Sequence, residues 1–118
     1  MSEITIYHNP RCSKSRETLA LLQEQGVTPQ VIEYLKDTPD ADTLRQLIAL
    51  LGLSSPRQLM RTGEDEYQQQ QLDDSSLSNE ALIAAMVATP KLIERPIVVS
   101  NGQARIGRPP QQVLEILG

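Results

Sequence analysis

The sequence predicts an α/β fold with a mixed four-stranded sheet, built as a βαβ unit at the start and a ββα unit at the end, with a helical insertion at about 36–94. Three observations carry this. A strand, helix, strand alternation occupies the first thirty-five residues, Asn101-Gly102 separates two β-rich segments near the end, and the stretch between has helical periodicity. At 118 residues the chain is expected to form one domain, with its core in 1–35 and 95–118 and the insertion in 36–94.

Taken in order, "EITIYH" (3–8) reads as a short strand, with Ile4 and Ile6 alternating with polar neighbours. From Ser13 to Gln25 the pattern turns helical, with Ser15, Leu19 and Leu22 on one face and Gly26 as the stop. "QVIEYL" (30–35) is a second strand, and strands joined by a crossover helix pair in parallel. Thr38-Pro39-Asp40 reads as a helix start, supplying cap, first-turn proline and first-turn acid. Leu44, Leu47, Ile48 and Leu51 follow as the apolar stripe, ended by Gly52. Ser55-Pro56 opens a short helix through Met60, and Ser78 opens another carrying Leu82, Ala85 and Met86. Between them "EDEYQQQQLDD" (64–74) is polar and low in complexity, a surface helix or loop.

"RPIVVS" (95–100), Asn101-Gly102 and "QARI" (103–106) read as a hairpin closed by a two-residue type I′ turn. The tail "PPQQVLEILG" is a helix with prolines at its entrance and Val113, Ile116 and Leu117 turned inward. This order of elements is the thioredoxin/glutaredoxin-like one, with an insertion larger than the single helix of a minimal glutaredoxin.

Composition narrows the function classes. Hydrophobic residues make up 39% of the chain but Phe and Trp are absent, so the core is expected to consist of Leu, Ile, Val, Ala and Met. Few rings and a net charge of −4 argue against nucleic-acid partners, single-stranded or duplex. The longest apolar runs are far short of a membrane span. Cys12 is the only cysteine, and with no signal peptide this points to a reducing cytosol; a cytoplasmic monomer is expected.

"YHNPRCSKSRETL" (7–19) holds the only cysteine and the only histidine, and it gathers Arg11, Lys14 and Arg16 before any acid appears at Glu17. Cys12 falls where the first strand has ended and the first helix begins, so unpaired N–H groups and the positive end of the helix dipole favour a thiolate there. A lone cysteine is ordinarily a small buried hydrophobe; the basic setting favours a reactive thiol instead. Ser13 and Ser15 can donate to the sulfur or cap the helix, and His8 is read as shaping the loop and its field. One Cys and one His cannot close a zinc site, so no metal is expected.

No acid lies between Glu94 and Glu115, while Arg95, Arg105 and Arg108 do. Arg105 alternates within a strand and reads as a solvated charge. Arg95 and Arg108 each precede a proline at an element boundary, and arginine's paired N–H donors suit a tetrahedral oxyanion. Pro96, opening a strand that faces the cysteine, is expected to follow a cis peptide bond.

"HNPRCSKSR", "LMR" at 59–61, "ERPIVV" at 94–99 and "RIGRPP" at 105–110 resemble, in order over nearly the whole chain, the glutaredoxin-dependent arsenate reductase family, in its arsenate-reductase-like branch. The resemblance implies that Cys12 attacks arsenate, that Arg61, Arg95 and Arg108 hold the oxyanion, and that His8 is an active-site neighbour, as are Ser13, Ser15 and Arg16. It also implies the thioredoxin-like fold and the cis proline at Pro96. Read alone, Arg61 is an ordinary helix-end arginine. Ser13-Lys14 stands where the resistance enzymes of the family carry Gly-Thr; Ser13 is less permissive than glycine, and Lys14 adds a charge.

An arsenic–cysteine adduct has to be reduced by a second thiol, and this chain has none to offer. Glutathione and then glutaredoxin are therefore expected as external reductants, with no bound cofactor. The phosphatase-like arsenate reductases need Cys-x5-Arg, whereas Thr18 stands at that position. Two alternatives remain: a glutaredoxin-like thiol transferase acting on glutathione mixed disulfides, and a non-catalytic redox or transcription regulator of the same fold. Redox-sensing regulators generally use Cys-x-x-Cys, and Ser15 occupies the second place here.

Overall fold

A computed structural model describes residues 4–117, which form two units: one comprises residues up to Asp37 and from Arg95 onward, the other Thr38–Glu94.

The first unit is a four-stranded sheet with one long helix. Its elements are β1 (Thr5–His8), α1 (Ser13–Glu24), β2 (Gln30–Glu33), β3 (Ile97–Ser100) and β4 (Gln103–Ile106), followed by a 3-10 helix over Pro110–Ile116. The strand order is β2-β1-β3-β4. β1 runs parallel to β2, with His8 opposite Glu33, and antiparallel to β3, with Ile6 opposite Val98. The sheet is thus mixed, as the crossover helix on one side of β1 and the hairpin on the other require.

β4 has the expected bounds, while β2 and β3 are shorter than the sequence suggested. β2 ends at Glu33 because its carbonyl turns to accept the N–H groups of Lys36 and Asp37, at 2.9 and 2.8 Å. β1 begins at Thr5; Glu3 of the expected strand lies outside the described residues. The β3–β4 turn has φ of 55° at Asn101 and 71° at Gly102, the double left-handed geometry of a type I′ turn.

The core of this unit joins Ile6, Val98, Leu22, Val113 and Ile116, with Leu19 packed against it. The tail is a 3-10 helix and not an α-helix. Its three buried residues, Pro110, Val113 and Ile116, are spaced three apart, which matches three residues per turn. Leu117 is half-buried.

In the second unit α2 (Ala41–Leu51) is capped by Asp40, not Thr38. The Asp40 carboxylate accepts the Thr43 N–H at 2.8 Å while its own backbone stays extended. Leu44 and Leu47 are buried, and Gly52 ends the helix at φ 72° with Leu53 N–H bonded back to the Ile48 carbonyl. A 3-10 turn over Pro56–Leu59 follows, then α3 (Asp65–Gln69), α4 (Asn79–Ala88) and a second 3-10 turn over Pro90–Leu92. Ser78 caps α4 as expected, accepting from Ala81 N–H, but Ile83 rather than Ala85 completes the buried face with Leu82 and Met86.

Two tyrosines enter the core that the composition assigned to aliphatic residues: Tyr34 is 1% exposed and Tyr67 6%. Arg57 explains the second. Its Nε donates to Tyr67 Oη at 3.1 Å, and its Nη2 donates to the carbonyls of Leu72 and Asp74. The polar 64–74 stretch is thereby tied down, and Leu72 is buried with it. Among the described residues no helix is long and apolar enough to cross a membrane.

Candidate active site

The site is built at the junction of β1 and α1. Cys12 is the N-cap residue of α1, with extended backbone (φ −93°, ψ 123°), and its carbonyl accepts the first helical N–H, from Arg16, at 3.0 Å. No side-chain capping bond is made there, so the free N–H groups of the first turn remain beside a partly exposed thiol.

The loop that delivers Cys12 is braced from within. Cys12 N–H donates to the Asn9 carbonyl, Arg11 N–H donates to Asn9 Oδ1, and Arg16 Nη1 donates to the Pro10 carbonyl, each at 3.0 Å. Ser15 Oγ accepts from Asn9 N–H at 3.0 Å and lies 2.6 Å from His8 Nδ1. Ser15 thus ties the end of β1 to the first turn of α1. A neutral imidazole protonated on Nε2 accepts the Ser15 hydroxyl proton at Nδ1, which satisfies both groups. Ser13 and Lys14 lie on the exposed side of α1, and Lys14 pairs with Glu17 at 3.4 Å.

The long-range contribution comes from the loop after β4. Arg108 Nη2 donates to Cys12 Sγ at 3.5 Å, and its Nε donates to the Arg95 carbonyl at 2.8 Å. Arg95, half-buried, stands just before β3, and the Arg95–Pro96 and Arg108–Pro109 peptide bonds are both cis. The sequence carried no expectation for the second.

Gly107 is the residue that sequence reasoning overlooked. Its N–H donates to the Pro96 carbonyl at 2.9 Å. A Cβ there would lie 2.5 Å from Thr18 Oγ1 and 2.8 Å from Pro96 Cγ. Thr18 is buried and bonded to the Lys14 carbonyl, so it has no room to yield. Only glycine lets the Arg108 loop close on α1 and Pro96. The available signal was a glycine between a strand end and an Arg-Pro pair.

Of the residues singled out in the sequence, Cys12, His8, Ser13, Ser15, Arg16, Arg95, Pro96 and Arg108 belong to the first unit. Arg61 belongs to the second. There it is held between Glu64 at 2.9 Å and Glu94 at 3.7 Å, and its N–H donates to the Leu92 carbonyl. Arg105 pairs with Glu115 at 2.9 Å.

His8 is 6% exposed, and burial holds its imidazole below the ordinary value of 6.5; Glu33 opposes this and Arg16 adds to it. The folded protein thus resists a proton that the unfolded chain accepts. Stability is retained above the unfolded pKa and lost as pH falls from there through the folded one. The thermal midpoint of the wild type is expected to fall between about pH 7 and pH 5.5, a window above the carboxylate range. His8→Asn, which retains an acceptor for Ser15, should flatten that slope. Parallel curves for the two proteins would contradict the assignment.

The arrangement presents a thiol, a helix N-terminus and a guanidinium to one point, the elements needed to bring an anion to a thiolate.

The description "ArsC family" applies to the family model that matches residues 7–116. The chain is 66% identical over 116 residues to the uncharacterized protein YfgD of Escherichia coli (strain K12), covering 98% of each. It is 46% identical over 117 residues to an arsenate reductase of Neisseria meningitidis (serogroup A, strain Z2491), covering 99% of this chain and 100% of the relative. The solved arsenate reductase from Vibrio cholerae matches with a TM-score of 0.96 at 61% identity, covering 98% of both chains.

Proposed function

The chain belongs to the ArsC family, and from that premise we propose that it is an arsenate reductase that takes its electrons from glutathione and glutaredoxin. The observation that carries the proposal is the 3.5 Å contact from Arg108 Nη2 to Cys12 Sγ at the N-terminus of α1.

In this reading the Cys12 thiolate attacks arsenic; the arsenic–sulfur bond forms, one arsenic–hydroxyl bond breaks, and that hydroxyl takes a proton from solvent and leaves as water. A dianion and a thiolate repel each other, and Arg108 offsets that repulsion by reaching both. Arg95 is assigned to the same oxyanion, and for Arg61 that role rests on the family resemblance alone. His8, Ser15 and Arg16 hold the loop, so that little reorganisation accompanies the attack.

The adduct must then gain two electrons for arsenic to leave as arsenite. Two thiols becoming one disulfide supply them, and a chain whose one cysteine is already on arsenic must obtain both from outside. Glutathione meets the adduct first, and glutaredoxin completes the reduction and frees Cys12. No bound cofactor takes part, and the cytoplasm, where both thiols are kept reduced, is the compartment proposed.

The test is arsenate-dependent NADPH oxidation, run once with glutathione, glutaredoxin and glutathione reductase and once with thioredoxin and its reductase. Turnover is expected only with the first set. Turnover with thioredoxin alone would overturn the reductant assignment. Activity on glutathione mixed disulfides without arsenate turnover would replace the proposal by a thiol transferase.

A further inference from the structure

A pocket of about 280 Å³ adjoins the Cys12 loop, lined by His8, Asn9, Pro10, Arg11, Glu33, Leu35 and Lys36. Its walls are the segments that leave the carboxyl ends of the parallel neighbours β1 and β2, where His8 and Glu33 are paired. Crevices beyond the carboxyl ends of parallel strands are where open sheets bind ligands. Its volume is close to the lower end of the small-ligand range, about 300–1,000 Å³.

The pocket's charges are available to a ligand. Lys14 is paired with Glu17, Arg16 bonds the Pro10 carbonyl, and Arg108 serves the sulfur and Arg95. Among the described residues the Arg11 guanidinium makes neither an ion pair nor a hydrogen bond. Lys36 and Glu33 are only loosely joined, at 3.8 Å, with the two side chains 82% and 42% exposed, so either can exchange its partner at little cost. Leu35, 44% exposed, supplies an apolar wall.

We propose that this pocket seats a small zwitterionic thiol of the γ-glutamyl tripeptide class, holding it one residue from Cys12. The inference rests on the reading of Cys12 as a nucleophile served by glutathione. Arg11 and Lys36 take the two carboxylates of such a peptide, Glu33 takes its ammonium, and Leu35 covers its apolar middle. An extended tripeptide spans about 10 Å, enough to pass from the β2 end to the loop.

The experiment reads mixed-disulfide formation at Cys12 by mass spectrometry with three oxidised probes: glutathione disulfide, 3,3′-dithiodipropionate and 2-hydroxyethyl disulfide. In each case the Cys12 thiolate attacks one sulfur, the new Cys12 disulfide bond forms, the probe's S–S bond breaks, and one thiolate leaves with the electron pair. The wild-type-to-variant ratio for each probe cancels that probe's own leaving-group reactivity. Arg11→Ala with Lys36→Ala should slow glutathione disulfide about fivefold or more, as the loss of two screened ion pairs would, and leave the neutral probe within about twofold. Glu33→Gln should slow glutathione disulfide and not the dithiodipropionate, which has no ammonium.

Equal slowing of all three probes would mean that the loop or its thiol had changed, and would overturn the subsite. Unchanged rates with glutathione disulfide would do the same, and a Glu33→Gln effect shared by both dianions would remove the zwitterion assignment. No arsenate enters this assay, so its outcome is separate from that of the coupled reductase assay.

Discussion

Cys12→Ser is expected to lower arsenate turnover by about ten-thousandfold or more, to the rate of the assay without enzyme, because a hydroxyl at neutral pH is neither a comparable nucleophile nor able to be released by thiol exchange. Folding should survive the change. The Cys12 side chain makes no capping bond, and its one described partner is the Arg108 guanidinium, which a hydroxyl can also accept from. The thermal midpoint measured beside the rate separates lost chemistry from lost structure. Turnover persisting in a well-folded Cys12→Ser protein would end the nucleophile assignment, since the chain contains no other thiol.

Arg108→Ala is expected to lower kcat/KM for arsenate by about 10²–10³, the usual cost of deleting one aimed donor to developing negative charge. Arg108→Lys should recover little of it. The guanidinium does two things at once, donating through Nε to the Arg95 carbonyl and through Nη2 to Cys12 Sγ. A single ammonium on a flexible stem cannot hold both directions. Steady-state kinetics of the two variants check this, and near wild-type activity in Arg108→Lys would show that charge suffices without the fork. A stability loss of about 1 kcal/mol should accompany either change, from the missing bond to Arg95.

These two effects differ in how far the sequence reveals their cause. The place of Cys12 is local: a period-2 run ends, a period-3.6 run begins, and the cysteine is between them. The contact from Arg108 joins residues 96 apart in the chain, and no spacing encodes it. Arg95 and Arg108 looked alike in the sequence, each before a proline, yet the described contact to sulfur is made by Arg108 while Arg95 contributes its carbonyl to hold it. Ser15 shows the same limit. A hydroxyl at the start of a helix could serve the sulfur, the helix or the strand end, and its recorded bonds go to His8 and Asn9.

By itself the sequence determined what depends on neighbours within one turn or one hairpin. That includes the strand and helix order, the Asn101-Gly102 turn with its two positive φ values, the Gly52 stop, and the Ser78 cap. It also determined one piece of chemistry outright: a chain with a single cysteine cannot form a disulfide within itself. The tertiary structure decided the rest. The choice of Asp40 over Thr38 as cap, the 3-10 form of the tail, the burial of Tyr67 under Arg57, and the glycine required at position 107 all turn on which atoms arrive from elsewhere. Side-chain pattern sets the torsions that a segment prefers; packing between segments distant in the chain sets which atoms finally touch, and there the local preference is one contribution among many.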